Sequence, residues 1–217
     1  DEDLLNIECE APLDDIAEAE ECSPLHSASA KGKLNEVKVL IVKGADINAP
    51  DLKKGYTSLH LAAAQGYSDI VKLLVTEGAA VDARDLRANT ALHYAARNGF
   101  LDVVKILIEN KAEVDVQNNL GHAPLHVSID GKVVDLLLKA NAKIDMADFL
   151  NRTPLHLAAI NNHPTVVQAL LSAGADDTLK DRLNQTAVQY ALKKKDKLVL
   201  DLFHQYSQNG HSVKHPE

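Results

Sequence analysis

The sequence predicts an all-α solenoid of about six helix–turn–helix units, each closed by a short β-hairpin. Three observations predict it. A tetrapeptide that usually ends in Leu-His recurs at near-constant spacing, each copy is followed by small residues, a turn and an apolar helix, and 46% hydrophobic residues suffice for a core without a cysteine framework. The recurring stretches are Ser23–His26, Thr57–His60, Thr90–His93, Ala123–His126 and Thr153–His156, with a degenerate sixth at Thr186–Gln189. Their fourth positions lie 34, 33, 33, 30 and 33 residues apart. Such a period marks stacked units, none of which can bury its apolar face alone.

Each element follows from its residues. Thr57 and Thr153 suit the N-cap of the first helix, where a hydroxyl accepts from the amide three positions on. Pro24, Pro124 and Pro154 fall at the first helical position, where the missing N–H is not needed. Small residues follow, as in Leu61-Ala62-Ala63-Ala64 and Tyr94-Ala95-Ala96, and let first helices approach one another closely. Gly32, Gly66 and Gly99 centre the turn, and Ile70-Val71-Lys72-Leu73-Leu74 typifies the second helix behind it. Gly44-Ala45-Asp46, Gly78-Ala79-Ala80 and Gly174-Ala175-Asp176 form a glycine-capped exit into the hairpin. Leu92 and Leu155 belong to the layer between helices.

These residues closely resemble the ankyrin repeat family, whose T-P-L-H-x-A signature the first five units match in phase. The resemblance covers residues 23–206, leaving an acidic N-terminal arm at 1–22 and a polar C-terminal tail at 207–217. It implies two antiparallel helices per unit with a hairpin finger at right angles, and a concave face made of first helices and fingers. It also implies that partners bind there. Two units depart from the pattern. Unit four lacks three residues near Asp130-Gly131, which shortens its first helix or the following turn; a neutral deletion and a shaped notch in the binding face both remain open. Unit six has Val188 and Gln189 in place of Leu-His and then Lys193, Lys194, Lys195 and Lys197, as a terminal cap with a polar outer face would.

The formal net charge of −8 argues against a nucleic-acid binder, and no apolar run is long enough to span a membrane. The excess charge belongs to the arm, where ten acidic residues meet no Lys or Arg. Residues 12–21 either form a short helix over the open end of unit one or belong to an acidic leader. Cys9 and Cys22 are the only cysteines, which fits a reducing compartment, the cytoplasm or alternatively the nucleus. The chain starts at Asp1 and its only methionine is Met146, so a native start is not expected here.

Signature histidines one repeat apart are too distant to share a metal, and His211 and His215 have no cysteine partner nearby. No nucleophile elbow, phosphate loop, dinucleotide fingerprint or C-x-x-C occurs, so neither an enzyme nor a cofactor is expected. Asp51, Asp85, Asn118, Asp148 and Asp181 open the fingers, where their side chains satisfy turn amides.

The finger tips and first-helix ends make the candidate binding face: Lys53, Lys54, Tyr56, Arg87, Asn89, Arg97, Asn98, Leu120, His122, Phe149, Leu150, Arg152, Ile160, Asn161 and Arg182. Tyr56 and Phe149 are two of only eight aromatics and suit interface anchors; the rival reading folds the large tip residues back onto the neighbouring finger. The basic trend along this face favours an acidic or phosphorylated protein or peptide, bound by a monomer. By resemblance alone, Asn48, with Ile47 before it and Leu40 eight positions earlier, matches a hydroxylation acceptor, or else is a plain finger asparagine. The leading function is therefore a non-catalytic protein-interaction module. The alternatives are a targeting or regulatory arm of a larger enzyme, channel or toxin, and an inhibitor that sequesters a transcription factor.

Overall fold

A computed structural model of the chain describes residues 23–208. The arm, the helix expected within 12–21, and residues 209–217 of the tail, with His211 and His215, lie outside the described residues, whereas Ser207 and Gln208, expected in the tail, end the last helix. Twelve helices occur among them, in six pairs: α1 (Pro24–Ala30) with α2 (Leu34–Val42), α3 (Ser58–Ala64) with α4 (Ser68–Thr76), and α5 (Ala91–Arg97) with α6 (Leu101–Glu109). The second half continues with α7 (Pro124–Val127) and α8 (Gly131–Lys139), α9 (Pro154–Ile160) and α10 (Pro164–Ser172), then α11 (Ala187–Lys194) and α12 (Lys197–Gln208). Odd-numbered helices stack on one another in chain order, and even-numbered helices form a second layer behind them.

The core runs continuously through both layers. Leu25, Leu59, Leu92, Leu125 and Leu155, the leucines of the signature, are fully buried, as are Leu74, Leu107, Leu137 and Leu170 of the second helices. Each such leucine contributes about 1.5–3 kcal/mol through burial. Alanines at 62, 63, 95, 96, 158 and 159 are also buried, which permits the close approach of α3, α5 and α9 to their neighbours.

The signature threonine and histidine act together. The backbone amides of Thr57, Thr90 and Thr153 each donate to Nδ1 of the histidine three positions on, at 3.1 Å, and the threonine hydroxyl lies 2.9–3.0 Å from the same atom. An Nδ1 that accepts leaves the proton of a neutral ring on Nε2. That atom donates to a finger carbonyl of the next unit: Asn89, His122 and Gln185 for His60, His93 and His156, at 3.0–3.1 Å. The simple arrangement, amide to hydroxyl, occurs at Ser23 and Thr186, each at 3.4 Å. Burial holds the imidazoles of His60 and His156 below the ordinary value and those of His93 and His126 at about 4.

The expected hairpins take a tighter form, and no strand is present among the described residues. Each finger is a turn closed by one long-loop bond, such as Asp85 N–H to the Asn89 carbonyl at 3.0 Å and Asp148 N–H to the Arg152 carbonyl at 2.9 Å. Arms this short cannot build a ladder. Instead the opening Asp or Asn carboxyl or amide oxygen takes the turn amides, as Asp85 Oδ1 does from Arg87 and Asn89 at 2.8 Å. Adjacent fingers are then joined sideways by Leu86 N–H to Lys54 O, Asn119 N–H to Arg87 O, Phe149 N–H to Leu120 O and Arg182 N–H to Leu150 O.

Unit four shows where its three residues are missing. The first helix α7 has four residues where α5 and α9 have seven. Ser128 turns extended, and Asp130 caps α8 by accepting from Lys132 N–H at 2.7 Å. The shortcut draws the start of α8 against α10: a Cβ on Gly131 would lie 2.7 Å from the Thr165 carbonyl oxygen, so only glycine fits.

Candidate functional site

The shortened helix leaves a cavity of about 200 Å³ on the face formed by first helices and fingers. The fingers of units three, four and five and the ends of α5, α7 and α9 surround it. Of the residues singled out from the sequence, Arg87, Asn89, Arg97, Leu120, His122, Arg152, Ile160 and Asn161 line it. Lys53, Lys54, Tyr56, Asn98, Phe149, Leu150 and Arg182 lie outside its lining. Sequence reasoning missed His93, Tyr94, Asn118, Asn119, His126, Val127, Ser128, Leu157 and His163, which also line it. The signal for Val127 and Ser128 was the 30-residue interval, which marks the place where helix is lost.

Its floor is a buried charged cluster. Asp148 Oδ1 accepts from the amides of Leu150 and Arg152, while Oδ2 accepts from Arg152 Nε at 2.8 Å and lies 2.7 Å from its terminal nitrogen. His122 Nε2 sits 3.2 Å from the same oxygen, and its ring stacks on that of His126 with centroids 5.7 Å apart. Burial alone would raise the Asp148 carboxyl, but bonds from His122 and Arg152 hold it well below the usual carboxylate range. Beside the cavity, Tyr94 donates its hydroxyl to Asp85 at 2.6 Å, and burial with that bond pushes its ionisation well above the ordinary value.

Several expectations about exposure need correction. Tyr56 is 9% exposed and packs edge-on against Tyr94, with Leu61 and Ala64 beside it, so it is core rather than a free anchor. Arg152 is 5% exposed because its guanidinium neutralises Asp148, and His122 and Ile160 are buried too. Phe149 is exposed at 54% and Leu120 at 45%. The fold-back also occurs: a Cβ on Gly121 would lie 2.7 Å from the Phe149 ring, so the ring lies against that glycine while about half of the residue stays exposed. Leu150 is half-buried, whereas Lys53, Lys54, Arg87, Asn98, Asn161 and Arg182 are exposed. Lys54 Nζ lies 5.8 Å from the centre of the Tyr56 ring, and Asn98 donates to the Ala64 carbonyl at 2.9 Å.

Asn48 is exposed, and its side chain donates to Gly78 O and accepts from Ala80 N–H at 2.8 Å. Asp82, Asp115 and Asp145 accept from the next unit's backbone at the corresponding place. Among the described residues no group of three or more His, Cys, Asp or Glu side chains is placed to hold a metal ion, and no helix is long and apolar enough to cross a membrane.

Three copies of the family model "Ankyrin repeats" match the chain, over residues 2–85, 77–148 and 130–212. The crystal structure of the human ASB11 ankyrin repeat domain superposes with a TM-score of 0.77 at 28% identity, covering 85% of this chain and 84% of that one. No curated protein matches the chain.

Proposed function

Since this chain belongs to the ankyrin repeat family, a fold of protein–protein interaction, we propose that it is a non-catalytic module that grips a protein or peptide on its face of first helices and fingers. The observation that carries this reading is the cavity. It opens on that face, between units three and five, and combines apolar walls with arginines and buried histidines. A concave site of apolar surface with a few placed polar groups is the usual form of a binding pocket. Exposed Leu86, Leu120, Phe149 and Leu183 extend the apolar surface along the tips on either side. Residues Lys53, Lys54, Asn98, Leu150 and Arg182 are proposed as peripheral contacts, and Tyr56 as the support beneath them. The same reading takes the protein to act as a monomer in the cytoplasm or nucleus, and takes Asn48 as a hydroxylation acceptor.

The test is affinity capture from cytosol, repeated with variants of both surfaces. Phe149→Asp and Arg87→Glu should lose the captured protein, while Lys72→Glu and Lys105→Glu on the second helices should retain it. The reverse pattern would place the interface on the outer helices and sink the proposal.

A further inference from the structure

Unit four departs from its neighbours at a position that twice holds a ring elsewhere in the chain. The fifth residue of the repeat is Tyr94 in unit three and Tyr190 in unit six, but Val127 in unit four. Each tyrosine lies against the first helix of the unit before it: Tyr94 packs with Leu61 and Ala64, and Tyr190 with Leu157 and Ile160. Each donates its hydroxyl to the residue that opens the finger nine positions earlier, Asp85 or Asp181. In unit four that opening residue is Asn118. The first helix also stops at Val127, three residues short of α5 and α9, and three helical residues occupy about 4.5 Å of axis. Ring and helix end are lost together, and the cavity opens beside Val127 and Ser128.

The cavity keeps what such a ring needs. An apolar cavity of about 150 Å³ holds a benzene ring, so the 200 Å³ here has room for a phenol. Its walls include Tyr94, Val127, Leu157 and Ile160 and four imidazoles, of which those of His122 and His126 are stacked. Aromatic and aliphatic surface of this kind favours a ring. Asn118 supplies the polar end. Its Oδ1 accepts from the amides of Leu120 and His122, which identifies the other atom as Nδ2. One Nδ2 hydrogen goes to Asn89 Oδ1 at 2.8 Å, and the second meets no acceptor among the described residues. Where units three and six turn a carboxylate towards a tyrosine hydroxyl, unit four turns an N–H towards the cavity's occupant.

Resting on the reading that this face binds protein, we propose that the unit-four notch takes one tyrosine side chain from a partner segment, its ring beside Val127 and its hydroxyl oxygen accepting from Asn118 Nδ2. Charge decides for a neutral group. An acid would meet two carboxylates that lining residues already engage, Asp85 through Tyr94 and Asn89 and Asp148 through Arg152 and His122. A base would meet the Arg152 guanidinium. The tyrosine comes from another molecule, because residues 1–22 and 209–217, which lie outside the described residues, contain no aromatic. Leu120 at the rim and Phe149 in the next finger are half exposed, and a chain running on from the ring would cover them.

The probe is a random displayed library of twelve-residue peptides selected against the full chain. Enriched sequences are synthesised with a fluorescent label and titrated by anisotropy. They should share one tyrosine. Changing it to Ala should weaken binding about thirtyfold or more, the scale of a buried aromatic anchor. Changing it to Phe should weaken binding about fivefold, the scale of one neutral hydrogen bond. Val127→Tyr, which puts the chain's own ring in the notch, should abolish binding without lowering the melting temperature. Val127→Leu, the residue of units two and five, should weaken it about tenfold. In the complex, nuclear Overhauser contacts should join the peptide's tyrosine ring to the methyl groups of Val127, Leu157 and Ile160.

Peptides that share no tyrosine, or that bind both Val127 variants as well as the wild type, overturn the assignment. If those peptides still lose affinity to Phe149→Asp, the face reading stands and only the notch falls. If no peptide is enriched, or only Lys72→Glu and Lys105→Glu lose affinity, both fall. A phosphorylated tyrosine that binds tenfold more tightly would make the notch an anion site and overturn the neutral assignment. Self-association of the free chain that Val127→Tyr removes would make a second copy the occupant, and would overturn the assignment to a partner.

Discussion

Arg152 shows how a residue with the composition of a contact can be a structural part. Its guanidinium neutralises a fully buried Asp148, so Arg152→Ala would strand that carboxylate without its cation. Breaking a buried pair from one side costs about 3–5 kcal/mol, and Asp148 keeps two backbone amides, so we expect about 2–4 kcal/mol lost in denaturant unfolding. A loss below about 0.5 kcal/mol would show that water already reaches the pair. The buried histidines give a second residue-scale expectation. His93 and His126 ionise at about 4 because burial disfavours the charged ring, whereas the unfolded chain ionises them near 6.5. The unfolded state therefore binds more protons as the pH drops. Stability from the neutral rings is complete above about pH 6.5 and is lost as the pH falls towards 4. The loss is about 1.4 kcal/mol per histidine for each pH unit. Denaturant midpoints recorded from pH 7.5 to 4.5 should fall on the acid side, and His93→Gln should flatten that fall. Midpoints that hold constant between pH 6.5 and 5 would contradict the neutral state of the buried rings.

Elements repay the same attention to small deficits. Unit four opens with Ala123 where units two, three and five have threonine, so its helix start lacks the hydroxyl that meets the histidine in those units. Ala123→Thr should raise stability by about 0.5–1 kcal/mol, the usual worth of a hydroxyl cap, read as a higher melting temperature. An unchanged or lower value would mean that the short helix has no room for the cap. The helices themselves were legible because their causes are local: proline at the first position, the Thr-x-x-His pair and glycine at the turn lie within a few residues of one another. Tyr56 was misread because its burial depends on Tyr94, 38 positions away in the next unit, and on a finger one residue longer than the others. Arg152 was misread for a related reason. Asp148 looked like a turn residue with its amides satisfied, and nothing in the spacing announced that its second oxygen would face an arginine four positions on. The notch was legible as a missing length but not as a lining, since that lining comes from three fingers and three helices.

At the scale of the molecule, every helix pair packs on its neighbours in chain order, so a continuous face of first helices and fingers emerges from repetition, and its cavity falls where unit four breaks that repetition. The cavity lining and the row of tip leucines are properties of that assembled surface and of no single unit. The account's central claim is that a partner is held there, across units three to five. Hydrogen–deuterium exchange on the full chain, with and without a saturating amount of the captured partner, tests it most directly. Exchange should slow in residues 118–128 and 157–163, which form the notch and its apolar wall. The outer helices α6, α8 and α10 should exchange as before. Slowing confined to those outer helices, with 118–128 unchanged, would contradict it.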